Sequence, residues 1–382
     1  SGSTISSSQM NENFRFLASE MREKLVYCDN GETISDAINA GYNSLTIYGS
    51  CSGEVGVSRM DPSPFGISYS DMPNKPISNL IITGGSSNGT DKITTPSGDF
   101  DFFIDDAYLQ LSNLELVLGE KFYSGGGYVR FMDITISGGG ITFARTTSGE
   151  IKNTTFNGEV SIRENSHITF NDSTLNSSLN LYRSGSAWLN NTAVTGGSNN
   201  SEALLLSMNS TIELSGTSVI THSREYSSVV TLTNNSSLNM NESSKLEAGS
   251  NVMPLNISRG SSAILSGDTM INSVDETAIR ISRNSTLLIN SNASVTSVPD
   301  KNDIYVDATS SLEIDGDSTS IGDVGCEGIT SVVENNGNTS VSIGSTCNGY
   351  ASLEDQFQTK QRKAFIYSSY PKSFGGISSD GN

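Results

Sequence analysis

The chain has 382 residues, of which only 16% are charged and 7% are aromatic, and it is rich in Gly, Ser, Thr and Asn. Its net charge of −19 argues against nucleic acid and anionic membrane surfaces as partners, because both are bound through basic patches. The sequence contains no long apolar run, so it also predicts no segment inserted in a membrane.

Residues 1–25 are predicted to form a Ser-rich, disordered lead followed by an amphipathic helix. The apolar positions of this helix recur at steps of four, three, four and four residues, at Met10, Phe14, Leu17, Met21 and Leu25. Such a seam fits the end of a coiled-coil stem that joins chains, for example into a homotrimer. It fits equally well a single helix that covers the open end of a solenoid, so both interpretations stay open.

Residues 26–41 read Val-Tyr-Cys-Asp-Asn-Gly-Glu-Thr-Ile-Ser-Asp-Ala-Ile-Asn-Ala-Gly. They predict a strand and a short capped helix, and a second strand region follows at residues 44–55. This order resembles the opening of pectate-lyase-like β-helix proteins, in which a Thr-Ile-x-x-Ala-Ile helix covers the open end. The cysteines around it resemble those of secreted bacterial β-helix proteins that follow a helical stem, and such β-helices also occur in phage tail spikes and fibres. The resemblance implies the fold of residues 26–350 but brings no catalytic motif.

Prolines interrupt the pattern between residues 59 and 76, which predicts an extended loop. Strand signals return at residues 77–83, 108–118 and 128–136, with Gly-rich turns between them. The first third of the chain is therefore predicted to belong to the same β fold, with longer loops.

Residues 160–315 contain a repeat with a period near 25 residues. Its copies align on one small residue, namely Ser166, Gly185, Ser210, Ser236, Ser261, Ser285 and Ser310. The positions six and four before this residue, and two and four after it, are apolar in every copy. A third, weaker apolar run follows, at Leu175, Val194, Val219, Leu246, Met270 and Val295.

A period of two within each run indicates strands with one buried face. The longer period indicates stacked coils that bury these faces against each other. We therefore predict an all-β fold: a single-stranded right-handed parallel β-helix, or solenoid, over residues 26–350. Residues 351–382 are predicted to be a C-terminal helix and tail, because residues 352–364 carry acidic side chains early and basic ones late.

The four cysteines form two pairs, each about one coil apart: Cys28 with Cys51, and Cys326 with Cys347. Coils stack about 4.8 Å apart, and a disulfide needs a Cα separation of about 4.4–6.8 Å. Each pair is therefore predicted to bridge two stacked coils, one pair at each end. Two disulfides favour an extracellular setting; the alternative is four unpaired thiols in a cytosolic protein.

Acidic residues are the candidates for catalysis. Hydrolysis of a glycosidic bond needs two carboxylates about 5 Å apart, or about 6.5–9.5 Å apart. The richest cluster consists of Asp99, Asp101, Asp105 and Asp106. Aromatic side chains lie beside them in the sequence and would suit stacking on sugar rings. The alternative is a solvated or calcium-coordinating edge.

Metal binding has weaker candidates. Asp315 and Asp317 could take calcium, although the full spacing of a calcium loop is missing, and no other cofactor is predicted. His167 and His222 fall in different coils, so no metal set with cysteine can be assembled. Only the abundance of serine would support a Ser–His nucleophile.

Ligand binding is predicted near Trp188, a large apolar residue where strand alternation predicts an outward position. The 19-residue coil before it lacks the loop that other coils carry, which would leave a notch. Tyr226 and Arg224, in the variable loop 221–228, would line such a groove. We expect a secreted or particle-borne binding and structural module, like an adhesin or tail fibre, that recognises surface glycans. The alternative is a polysaccharide hydrolase or lyase that uses carboxylates along the solenoid face.

Overall fold

The computed structural model describes eleven parts of the chain: residues 21–58, 77–87, 89–96, 102–197, 202–290, 292–307, 309–315, 320–327, 332–336, 341–344 and 347. The chain divides into two compact units. The first comprises Ser1–Leu205 with Ser210–Ile212, and the second comprises Leu206–Asn209 with Glu213–Asn382. Each unit is described below by itself.

The first unit is built from short strands in a regular order. Its strands are β1 (Glu23–Tyr27), β2 (Ser44–Tyr48), β3 (Ser50–Ser52), β4 (Val55–Ser58), β5 (Asn79–Gly84), β6 (Lys92–Thr94), β7 (Phe102–Asp105), β8 (Ala107–Ser112), β9 (Glu115–Gly125), β10 (Gly127–Met132), β11 (Thr135–Ala144), β12 (Ser148–Lys152), β13 (Thr155–Phe156), β14 (Val160–Arg163), β15 (His167–Asn171), β16 (Thr174–Leu175), β17 (Leu179–Tyr182), β18 (Ser186–Asn190) and β19 (Ala193–Thr195). Two strands contain residues of both units: β20 (Glu202–Leu206) and β21 (Thr211–Ser215).

The second unit consists of short strands of two to six residues. They are β22 (Val219–His222), β23 (Ser227–Leu232), β24 (Ser237–Met240), β25 (Lys245–Ala248), β26 (Val252–Ile257), β27 (Ser262–Leu265), β28 (Met270–Asn272), β29 (Ile279–Ile281), β30 (Thr286–Asn290), β31 (Ser294–Thr296), β32 (Ile304–Val306), β33 (Ser311–Asp315), β34 (Ser320–Ile321), β35 (Asp323–Cys326), β36 (Val332–Asn336) and β37 (Ser342–Ile343).

Through most of both units, a strand pairs in parallel with the third strand after it, which is its equivalent in the next coil. In the first unit β12 pairs with β15, β13 with β16 and β14 with β17. In the second unit β24 pairs with β27, β25 with β28 and β26 with β29. Each coil thus contributes one strand to each of three stacks. The predicted all-β parallel solenoid is confirmed, and the three strand regions expected before residue 137 appear as β5, β8 with β9, and β10 with β11.

The apolar columns of the repeat form the core. All four predicted positions, in all seven copies, are at most 4% exposed. Full burial of one such side chain stabilises a fold by about 1.5–3 kcal/mol, so the columns dominate its energetics. The aligned serines are buried with them, at 0–1% exposure.

The third run is shifted by one residue at two of its predicted positions. Ile220 and Ile271 are fully buried, and they pair with Leu246 on either side. Val219 and Met270, which the alignment selected, are only half-buried. From the coil of Ser210 onward, the turn before this strand is one residue longer than in the coils of Ser166 and Gly185, which moves the buried position.

Tight turns with left-handed backbone precede the aligned small residues. Before Ser166, both Glu164 and Asn165 have positive φ, at 58° and 62°. The Ser166 amide donates to the carbonyl of Arg163, as in a type I′ turn. Because Asn tolerates the left-handed region better than most residues, this geometry explains part of the high Asn content.

The two predicted disulfides are present, Cys28–Cys51 with a Cα separation of 4.9 Å and Cys326–Cys347 with 5.2 Å. The first joins the residues that follow β1 and β2, which pair in parallel. The second joins β35 to the residues that follow β37, and these strands also pair. Each disulfide therefore links neighbouring coils, as predicted.

The helix α1 (Ile34–Asn39) lies between β1 and β2. The Thr33 side chain caps it by accepting a hydrogen bond from the Asp36 amide, and Ile34, Ala37 and Ile38 are buried. A 3₁₀ turn at Cys28–Asn30 precedes it. The described residues contain no helix that is long and apolar enough to cross a membrane.

The prediction of a helix before residue 26 is wrong at the C-terminal end of that helix. Leu25 lies in β1, which starts at Glu23 and pairs with β2, so the solenoid begins three residues earlier than expected. Met21 and Leu25 are 38% and 49% exposed. The remaining seam positions, the loop at 59–76 and the predicted C-terminal helix at 352–364 lie outside the described residues.

The left-handed turns generate a stability prediction. Asn284 has φ of 63° and an exposed side chain. Asn284→Val should destabilise the second unit by about 1–2 kcal/mol, since β-branched residues are strained at positive φ. Asn284→Gly should stay within about 0.5 kcal/mol of the native chain. Urea unfolding followed by circular dichroism tests this, and equal losses for both variants would contradict it.

The C-terminal disulfide generates a second stability prediction. Replacing Cys326 and Cys347 together by Ser should cost about 3 kcal/mol, the value expected for a closed loop of this length. Because coils contact only their neighbours, the loss should be local. Hydrogen exchange should speed up in β32 and β35 while β24 and β27 stay protected. Uniform deprotection of the second unit would contradict the local model.

Candidate functional site

One surface of the first unit collects polar and aromatic side chains in columns. We call it the outer face: the outward-pointing residues of β8, β10, β12, β15 and β18. Its first column contains Tyr108, Tyr128, Ser148, His167 and Ser186. Its second column contains Gln110, Arg130, Glu150, Thr169 and Trp188. Alternation places these residues outward, because the residues between the columns, such as Leu109 and Val129, are fully buried.

Tyr108 and Tyr128 stack on each other at one end of the outer face. Their ring centroids are 5.9 Å apart and their planes differ by 3°. The Tyr108 hydroxyl lies 2.9 Å from Oε1 of Gln110, to which it donates. Burial raises the pKa of both tyrosine hydroxyls. Both hydroxyls therefore remain protonated at neutral pH, so each can donate one hydrogen bond and accept others.

Arg130 and Glu150 form an ion pair in the second column. Nε of Arg130 lies 3.2 Å from Oε2 of Glu150, without the geometry of a directed hydrogen bond. The side chains are 40% and 37% exposed. Such a pair contributes at most about 1 kcal/mol to stability. It does place several N–H donors and carboxylate acceptors side by side on rigid strands.

His167 and Ser186 are neighbours in the first column. Nδ1 of His167 lies 2.9 Å from the Ser186 hydroxyl, which also lies 3.2 Å from the carbonyl oxygen of Ser166. Burial lowers the pKa of His167, so its ring is neutral at pH 7. When the hydroxyl donates to the carbonyl, Nδ1 must donate to the hydroxyl. That tautomer cannot activate the serine as a nucleophile, and Ser186 is only 9% exposed.

Trp188 lies in the second column at the other end of the outer face. Its outward position agrees with the prediction from strand alternation. Its side chain is 42% exposed, and β18 pairs with β15 so that Trp188 lies beside Thr169. A large exposed aromatic side chain on a strand offers apolar area at low entropic cost. Trp188 is thus the main apolar contact point of the face.

The other predicted ligand residues belong to the second unit. Arg224 and Tyr226 are exposed in the turn between β22 and β23, where Tyr226 is 89% exposed and has φ of 60°. Trp188 belongs to the first unit. The groove predicted to contain all three residues stays a prediction.

The predicted acidic cluster is only partly described. Asp99 and Asp101 lie outside the described residues. Asp105 ends β7 half-buried, and Asp106 is exposed with φ of 48°. Burial, and next the charge of Asp106, raise the pKa of Asp105, while Arg145 opposes this rise.

Of the aromatic residues beside this cluster, Phe100 lies outside the described residues, and the described side chains of Phe102 and Phe103 do not face solvent. Phe102 is fully buried and Phe103 is 4% exposed, and they stack on Phe122 and Tyr123 of the next coil. The idea that they stack on sugar rings is therefore wrong. β7 buries three successive side chains, Phe102, Phe103 and Ile104, so simple alternation fails there.

The calcium candidates are also only partly described. Asp315 is exposed at the end of β33, and Asp317 lies outside the described residues. Among the residues that the structure describes, no three His, Cys, Asp or Glu side chains lie close enough together to hold a metal ion.

Sequence reasoning missed most of the outer face. The repeat alignment started at residue 160, whereas Tyr108, Gln110, Tyr128 and Arg130 precede it. The signal was present, since Tyr108, Tyr128 and Ser148 are each 20 residues apart and β8, β10 and β12 align without a shift. Extending the alignment towards the N-terminus at this spacing would have identified the columns.

The raised pKa of Asp105 generates a prediction. A carboxyl group whose folded pKa is raised binds its proton more readily in the folded state, so stability is lost as the pH rises above the unfolded pKa. Asp105→Asn should therefore raise the melting temperature at pH 7 but not at pH 3. Asp106→Asn, which changes the exposed neighbouring residue, should raise the melting temperature at pH 7 by less. Thermal unfolding of both variants at both pH values tests this, and a loss of stability for Asp105→Asn at pH 7 would contradict it.

Comparison of the chain with protein-family models, with curated proteins and with solved structures finds no match. The fold class therefore rests on the parallel strand pairing described above. Any assignment of function rests on the chemistry of the surfaces.

Proposed function

We propose that this chain is an extracellular binding and structural module, of the adhesin or tail-fibre kind, that recognises surface glycans through its outer face. The observation that carries the proposal is the pair of adjacent columns on the outer face. They combine an exposed indole with an ion pair, an amide and two protonated phenols. These groups are held on neighbouring strands, not on loops.

The chemistry of this face suits sugars. A sugar ring has an apolar face of C–H groups, which packs on an aromatic side chain such as Trp188. Its neighbouring hydroxyl groups both donate and accept hydrogen bonds. Arg130 supplies donors, Glu150 supplies acceptors, and Gln110 and the Tyr128 hydroxyl supply both.

The rigidity of the face also favours binding. Each of these side chains starts from a strand that is hydrogen-bonded on both sides. Little backbone freedom is lost when a ligand binds, which lowers the entropic cost. A long polymer could lie along several coils and contact the same columns repeatedly.

The two disulfides support an extracellular setting. Two disulfides are typical of proteins that leave the reducing cytosol.

We further propose that the solenoid is right-handed and belongs to the pectate-lyase-like superfamily, since parallel crossover connections are almost always right-handed. The residues before β1, up to Arg22, would then serve as a stem for a homotrimer or as a cap. Light scattering on a chain without these residues would distinguish the two.

The alternative function is a hydrolase or lyase that degrades polysaccharides. It is favoured by the raised pKa of Asp105, because a general acid must hold its proton at the working pH. The binding proposal is preferred because the described aromatic neighbours of the acidic cluster, Phe102 and Phe103, are buried and cannot pack against a sugar ring held there.

A glycan array tests the proposal. The full chain should bind at least one glycan, and Trp188→Ala should weaken that binding about tenfold, the loss of about 1.4 kcal/mol expected for one aromatic contact. Tyr226→Ala serves as the matched control. It removes another exposed aromatic side chain and should leave binding unchanged. Circular dichroism would confirm that both variants are folded.

Each result has a clear meaning. Loss of binding in Tyr226→Ala but not in Trp188→Ala would move the site to the loop at 221–228. Release of reducing ends or unsaturated uronates from a bound polysaccharide would favour the enzyme. A chain that binds no glycan would overturn the proposal.

A further inference from the structure

The outward column of the second unit differs from that of the first. Leu287 and Ile289 are fully buried and point into the core, so Leu288 between them points outward on β30. Leu288 is nevertheless only 4% exposed, and Glu313, its neighbour on β33, is 6% exposed. Trp188, at the same position of the repeat in the first unit, is 42% exposed.

A sheet that buries side chains on both faces must be covered on both. Inside the coil the cover is the core. On the outside, the cover must include apolar groups that pack on Leu288 and polar or charged groups that bind the carboxylate of Glu313. A carboxylate buried to this extent needs a charged or hydrogen-bonding partner, because its transfer out of water is otherwise costly.

We propose that residues 348–382 of this chain cover the outer face of the second unit, from Ile264 on β27 to Glu313 on β33. The segment has the right chemistry for this role. It contains the large apolar side chains Phe357, Phe365, Ile366, Tyr367, Tyr370 and Phe374. It also contains the basic side chains Lys360, Arg362, Lys363 and Lys372.

The charge of residues 348–382 also supports this segment as the cover of the outer face. The segment has four basic and three acidic side chains, whereas the whole chain has a net charge of −19. It is therefore one of the few parts of the chain that an outward carboxylate such as Glu313 would attract. Its aromatic residues match Leu288 and the half-buried Ile264.

The segment also starts in the right place. The disulfide with Cys326 holds Cys347 beside β35, which belongs to the same coil as β33. Leu288 lies one coil from β33 and Ile264 lies two coils away, or about 5 and 10 Å along the stack. Five extended residues span about 16 Å, so a segment of this length reaches all three positions.

The contact would have a consequence for binding. The outer face of the second unit would be closed by the chain itself, whereas the outer face of the first unit carries exposed Trp188 and Tyr128. Ligands would then meet the first unit. This inference stands apart from the proposed function, because it concerns what covers the second unit and does not depend on whether the chain binds glycans.

Photo-crosslinking in the full chain tests the contact. A benzophenone amino acid replaces Ile264, which lies at the margin of the covered surface, and the cross-linked peptide is identified by mass spectrometry. We expect the cross-link within residues 348–382 of the same molecule. The same probe at Thr169, the equivalent position of the first unit, is the matched control and should give no cross-link to that segment.

A second measurement protects the test against a probe that disturbs packing. In the full chain, Leu288→Cys should react with iodoacetamide at least tenfold more slowly than Thr169→Cys. Replacing Phe357, Phe365 and Phe374 together by Ser should remove this protection. Cross-links to residues 316–319 or 337–340, cross-links between two molecules, no cross-link at all, or protection that survives the triple substitution would each overturn the proposal.

Discussion

Parallel hydrogen bonding between coils places each side chain about 4.8 Å from its equivalent in the next coil, and the rest of the structure depends on this spacing. Inside, identical apolar side chains stack without conflict. Outside, like charges would repel each other, and the chain pairs unlike groups instead. The Asn153 amide donates to the Asp133 carboxylate at 3.0 Å, and Arg183 pairs with Glu164 at 3.4 Å. The Arg130–Glu150 pair follows the same rule, so a polar outer face can form without disturbing the stack.

The turns explain why Asn and Ser recur together. A left-handed residue such as Asn209 or Asn284 stands directly before a buried serine, and an outward Ser or Thr starts the next strand. This order produces Asn-x-Ser/Thr triplets as a by-product of folding. The triplets that begin at such turns therefore report the geometry of the coil.

The features that could be predicted from the sequence are those that the repeat pattern shows directly. The inward columns and both disulfides follow from apolar periodicity and from cysteine spacing. Prediction failed where a local pattern competed with pairing: Met21 and Leu25 continue a helical seam, yet Leu25 pairs in β1. It also failed where turn length changed, as at Val219 and Met270. The outer face was missed because outward positions vary in type, and only register between coils shows that Tyr128, Arg130 and Glu150 lie together.

Loops of different length could disturb that register, and buried aspartates prevent it. Asp91 is 1% exposed and accepts hydrogen bonds from the amides of Gly49 at 2.8 Å and Ser86 at 2.6 Å. Burial alone would raise its pKa, but these hydrogen bonds lower it below the usual value. Asp303 binds the amides of Ser297 and Gly322 in the same way. Because each aspartate binds both a loop amide and an amide of a neighbouring coil, it stabilises the register of the strands on either side of that loop. A rigid outer face is therefore compatible with variable loops, which is the condition that a binding surface built on strands requires.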